Sequence, residues 1–158
     1  MNTPGERVRN LDWPRIHAQL DEHGFAVTDC LLPEKTCRQL IAGFGHDGLY
    51  RKTVVMARHN YGKGSYRYFD YPLPDPVPEL RSALYTRLSP LANEWYQRLG
   101  KEPAFPERLP DYTAQCHAVG QMLPTPLILA YEAGDFNCLH QDLYGDLYFP
   151  PAGGRSPQ

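Results

Sequence analysis

Tyr131-Glu-Ala-Gly-Asp-Phe-Asn-Cys-Leu-His-Gln-Asp142 is the stretch whose reading decides the fold. It follows Leu127-Ile-Leu-Ala130, an apolar run of the kind that forms a buried strand. Glu132-Ala-Gly-Asp135 has the composition of a turn, and Phe136 to Asp142 reads as a second extended segment. His140 and Asp142 stand two positions apart, so on an extended strand both side chains point to one face. An imidazole and a carboxylate on one face supply two legs of a 2-His-1-carboxylate site. Such a site leaves coordination positions of Fe(II) open for a co-substrate and oxygen. An H-x-D pair alone recurs by chance in many proteins, so its context carries the weight.

Upstream, Tyr50 to Met56 and Ser65 to Tyr71 read as paired strands around a Gly62/Gly64 loop. Phe25 to Thr28 reads as a further short strand. Between Tyr71 and Pro78, Pro72, Pro74, Pro76 and Pro78 call for an extended segment. Helices are expected over 12–22, capped by Asp12 and closed by Gly24, and from Pro33, where Cys37, Leu40, Ile41 and Phe44 recur at helical spacing. A long helix is expected from Glu79 to Leu99, its stripe made by Leu80, Leu84, Leu88, Leu91, Trp95 and Leu99, with a kink at Pro90. A shorter one follows over 110–119.

With 158 residues, the chain can bury one core, and 42% hydrophobic against 22% charged residues argues against disorder. A formal charge of -2 supplies no basic excess to draw the chain to nucleic acid or to a membrane surface, so neither is an expected partner. No long apolar run and no leader-like stretch is present, which makes a cytoplasmic setting the default. Cys30, Cys37, Cys116 and Cys138 contain no C-x-x-C pair and suggest neither a zinc site nor a disulfide framework.

The order of blocks along the chain resembles the Fe(II)/2-oxoglutarate-dependent dioxygenases, and within them the prolyl-hydroxylase-like branch and one bacterial subfamily. The blocks are Asn60-Tyr-Gly-Lys-Gly-Ser-Tyr-Arg-Tyr-Phe-Asp-Tyr-Pro-Leu-Pro74, Ala92-Asn-Glu-Trp95, Cys116-His117, Gly120-Gln121 with Pro124-Thr-Pro126, and Leu139-His-Gln-Asp-Leu-Tyr-Gly145. The resemblance covers residues 25 to 150. It implies an α+β fold: N-terminal helices plus the first strands of a double-stranded β-helix, a jelly roll incomplete at its C-terminus. A helical and strand support region over 1–123 would precede the start of the jelly roll over 124–150 and a tail over 151–158. It implies Fe(II) as the metal, 2-oxoglutarate as co-substrate, and ascorbate as an auxiliary reductant. His140 and Asp142 would be metal ligands. Tyr131 matches a strand tyrosine that hydrogen-bonds the distal carboxylate of 2-oxoglutarate, and Asn137 would line the pocket. The substrate would be a protein side chain or a small molecule.

The family's second histidine and its carboxylate-anchoring Arg or Lys have no match after Asp142, so the chain is expected to be an N-terminal portion without turnover of its own. One permitted back-translation of 151–158, shifted by a nucleotide, reads L-Q-V-A-A-L-L, an apolar strand, which points to a frameshifted tail. Two alternatives stand beside the oxygenase. One is a non-catalytic binding module presenting Pro72 to Pro78. The other is a cupin-like metalloprotein using His117 or His59. If His140 and Asp142 are two ligands out of three, the chain binds Fe(II) only weakly. Titration with Fe(II) or Co(II) under argon checks this; submicromolar affinity that survives His140→Ala contradicts it.

Overall fold

The computed structural model describes residues 3–140 and 147–149. In chain order, the helices among them are α1 (Pro4–Arg9), α2 (Trp13–His23), α3 (Glu34–Gly43), α4 (Val77–Arg98) and α5 (Leu109–Ala118). The strands are β1 (Tyr50–Val55), β2 (Gly62–Lys63), β3 (Ser65–Phe69), β4 (Leu127–Ala130) and β5 (Phe136–Asn137). The fold is therefore α+β, with antiparallel strands in open sheets. The chain divides into two compact units. One holds the described residues up to Leu31 with Glu79–Met122 and 147–149, and the other holds Leu32–Pro78 with Leu123–His140.

The first unit is helical. Asp12 caps α2 by accepting the Arg15 N–H at 3.1 Å, and Gly24 closes it at φ +78°. α1 has no counterpart in the periodicity. It is set by a capping box in which Thr3 accepts the Glu6 N–H while Glu6 accepts the Thr3 N–H. α4 is packed on two sides. Leu80, Leu84 and Leu88 lie against Val8, Trp13 and Ile16, as the leucine stripe predicts. Tyr85 and Ala92 join Phe105 and Tyr112 in a second, aromatic cluster, with Phe149 against it. Leu99, expected in the stripe, is 68% exposed. Pro90 lies inside α4 without ending it, on the exposed side. Asn93 fixes the segment beyond α4: its amide donates to the Phe105 carbonyl at 2.8 Å and accepts from the Ala104 and Phe105 N–H groups.

The second unit holds a three-stranded sheet in the order β1-β3-β4 and a separate two-stranded pair, β2-β5. Val54, Met56 and Phe69 are its buried apolar residues, with Pro124 fully enclosed. Arg67 on β3 ties the sheet to the end of α3. Its guanidinium donates to the Phe44 carbonyl at 2.6 Å, to Asp47 at 2.5 Å and to Thr53 at 2.9 Å, and lies 4.4 Å from the Tyr50 ring centroid.

Three expectations change. Phe25 to Thr28 forms no strand, and Phe25 and Val27 are 65% and 70% exposed; a short apolar run becomes a strand only where a neighbour completes its ladder. Leu127 and Leu129 are partly exposed, because β4 is the outer strand of its sheet rather than an inner one. The proline segment is not extended throughout, since Val77 and Pro78 already form the first turn of α4, where a missing N–H costs nothing. No helix is long and apolar enough to cross a membrane among the described residues.

Burial holds the phenols of Tyr85 and Tyr112 above their ordinary value of 10.0. The unfolded chain ionises both near that value and the folded chain does not. Their contribution to stability is thus fully present at neutral pH and lost as the pH rises above about 10. The urea midpoint is expected to stay flat through neutral pH and fall in that alkaline range, with a shallower fall in Tyr112→Phe. An equal fall in both proteins contradicts this assignment.

Candidate functional site

Glycine at two positions lets the elements that carry the chemistry meet. Gly62 has φ +121°, and a Cβ there would run into the Phe136 carbonyl and lie 3.0 Å from the Asn137 Cα. Gly64 has φ +124°, and a Cβ there would lie 2.8 Å from the Tyr131 ring. Both backbone conformations strain an L side chain, and both close approaches need the missing side chain. In the resulting ladder Gly62 pairs with Asn137 and Lys63 with Phe136. The Cys138 N–H then donates to the Tyr61 carbonyl at 2.8 Å, extending the contact toward His140.

The turn between β4 and β5 closes on itself. The Glu132 N–H donates to the Asp135 carboxylate at 2.9 Å, and Lys63 lies 3.2 Å from the same carboxylate. The backbone hydrogen bond and Lys63 hold the Asp135 carboxyl below its usual range. Tyr131 begins this turn, with its ring over Gly64 and its side chain half exposed to solvent.

His140 is exposed, and its Nδ1 lies 2.8 Å from the Cys138 carbonyl oxygen. In the tautomer that donates this bond, Nε2 carries the ring's lone pair. A backbone carbonyl on Nδ1 is the common way to fix a metal-binding imidazole. The donor chemistry at His140 therefore fits one leg of a metal site. Asp142, the second predicted ligand, lies outside the described residues. Among the described residues no group of three or more His, Cys, Asp or Glu side chains stands close enough to hold a metal ion. His117 is in the last turn of α5, and His59 is exposed and stacked on Tyr61 at 5.3 Å. Asn137 is exposed on β5.

Tyr131 and His140 thus belong to one unit, joined through the Gly62–Gly64 loop. The pairing role of that loop was missed in the sequence, although a Gly-Lys-Gly triplet inside a strand region signals a close backbone approach.

His140, three residues beyond β5 with its Nδ1 against a backbone carbonyl, and Tyr131, just past the end of β4, are the two candidate residues the structure describes. In comparison with known families, the family model for an oxygenase catalysing oxidative methylation of damaged DNA matches residues 64–152. The chain belongs to this oxygenase family. Two uncharacterised proteins of Mycobacterium tuberculosis, from strains CDC 1551 / Oshkosh and ATCC 25618 / H37Rv, are each 48% identical over 82 residues, 52% of this chain. The chain spans 35% of the length of these relatives. No solved structure matches.

Gly62→Ala and Gly64→Ala are each expected to cost about 1–3 kcal/mol from backbone strain alone. They should also abolish hydrogen-exchange protection of the Cys138 amide. Urea melts and amide exchange check this; an unchanged midpoint with a protected Cys138 amide contradicts the close-approach account.

Proposed function

We propose that this chain contributes to an iron- and 2-oxoglutarate-dependent oxygenase that oxidises damaged nucleobases. The observation that carries the proposal is the family match over 64–152, which spans both Tyr131 and the H-x-D pair. The family description names damaged DNA as what its members act on. The whole-chain charge of -2 argued against nucleic acid, but a net charge says nothing about local distribution.

In this reading His140 and Asp142 would hold Fe(II), with the Cys138 carbonyl orienting the His140 ring through its Nδ1. When bound, the metal and its co-substrate supply the oxidation: 2-oxoglutarate and oxygen become succinate and carbon dioxide, and one oxygen atom enters a substrate C–H bond. The chain's own part is to bind and orient. Tyr131 donates its phenol proton to the distal carboxylate of 2-oxoglutarate, the role of the matching tyrosine in prolyl-hydroxylase-like members. The turn from Glu132 to Asp135, tied to Lys63, joins β4, which leads into Tyr131, to β5, which leads toward His140.

The test is 2-oxoglutarate binding by calorimetry, with Co(II) in place of iron. Binding is expected only in the presence of the metal, and Tyr131→Phe should weaken it about tenfold, the usual worth of a hydrogen bond to a charged group. Metal-independent binding, or equal binding by Tyr131→Phe, contradicts the reading.

A further inference from the structure

The loop that pairs with β5 carries more than a backbone contact. From Gly48 to Phe69 the sequence has no Asp or Glu, while Arg51, Lys52, Arg58, Lys63 and Arg67 fall within it. The acidic residues that offset this charge lie elsewhere, so the -2 of the whole chain conceals a basic hairpin. These cations are not equivalent. Arg67 is spent on Phe44, Asp47 and Thr53, and Arg51 donates to the Pro124 carbonyl at 2.9 Å and lies over the Tyr68 ring. Lys63 is exposed but faces Asp135. Arg58 is exposed and has no acidic partner among the described residues.

The backbone under Arg58 is pinned. Met56, wholly buried, donates its N–H to the Gly64 carbonyl at 3.0 Å, and Tyr61 donates its N–H to the Met56 carbonyl at 3.1 Å. Met56–His59 is a 3-10 turn, closed by Asn60 at φ +58°. A loop held this firmly nonetheless turns Arg58, His59 and Tyr61 outward. The His59 and Tyr61 rings are stacked, 5.3 Å apart and 24° from parallel, and the Tyr61 side chain is 46% exposed. An exposed aromatic pair beside an unpaired guanidinium suits a single nucleic-acid strand, since a base stacks on the ring and a phosphate meets the cation. One backbone hydrogen bond, from Cys138 to Tyr61, and one side-chain contact, from the His140 ring to the Cys138 carbonyl, link this loop to the predicted ligand.

We propose that the Arg58–Tyr61 loop is a docking surface for single-stranded nucleic acid, holding the strand beside His140. The proposal rests on the nucleic-acid reading of the function. The geometry assigns a stacked base to Tyr61 and a phosphate to Arg58, while Lys63 stays with Asp135.

The test measures fluorescence anisotropy of a short fluorescein-labelled oligothymidylate over a range of salt concentrations, with no metal or co-substrate added. Tyr61→Ala is expected to weaken binding on the order of tenfold and leave the salt dependence unchanged, because stacking involves no released counterion. Arg58→Ala is expected to weaken binding and lower the slope of log affinity against log salt by about one. Arg38→Ala, on α3 and paired with Glu34, should bind as the unaltered chain does. Both loop variants replace exposed side chains, and circular dichroism checks that their folds are kept. If the unaltered chain binds the strand and both loop variants bind equally well, the loop assignment is overturned and the nucleic-acid reading survives. If the unaltered chain binds no strand, both are overturned.

Discussion

The approach of the Gly62 backbone to the Phe136 carbonyl is the constraint on which the rest of the second unit depends. A Cβ there would meet the Phe136 carbonyl, and φ +121° is a conformation that L residues adopt only under strain. Once the two meet, the β2-β5 ladder, the Tyr61–Cys138 hydrogen bond and the Cys138–His140 contact follow in sequence. Gly64 repeats the device one turn of the pleat away, where the Tyr131 ring lies over its bare backbone. Two glycines thus sit under the contacts that lead to Tyr131 and toward His140.

A different solution serves the helical unit. α4 carries a leucine face and an aromatic face, and each has its own partners. A helix buried on two sides has little amphipathic contrast, so its 22 residues are held by packing more than by periodicity. Polar ties add orientation. The Trp95 indole and the Arg98 guanidinium both donate to Asp21, at 2.6 Å each, linking α4 to α2. Pro90 is tolerated in this setting because its exposed side loses one backbone hydrogen bond while buried Leu91 and Ala92 keep the helix in register.

Much of this was legible in the sequence, and the gaps have physical causes. Asp12 and Gly24 mark α2 by local chemistry, which needs no tertiary partner, and the structure follows them. The paired strands β1 and β3 were legible as two runs flanking the Gly62/Gly64 loop, and β4 from its apolar run. Burial was less legible. Ile41 sits on the apolar face of α3 yet is 69% exposed, because periodicity marks which side of a helix is apolar and not whether anything covers it. The aromatic face of α4 was missed since Tyr85, Phe105 and Phe149 are far apart in sequence. Of the candidate site, Tyr131 and His140 were proposed from motif order, whereas the hydrogen bond between the His140 ring and the Cys138 carbonyl is a matter of three dimensions.

The central claim is that a metal ion binds at His140, beside the loop that Gly62 makes possible. Paramagnetic broadening by Co(II) in amide-resolved NMR tests it most directly, because the effect falls steeply with distance from the ion. The account predicts that substoichiometric Co(II) broadens the amides of Tyr61, Gly62 and Cys138 first, and that His140→Ala removes the effect. Broadening centred on His17, His46 or His117, unchanged by His140→Ala, would contradict it.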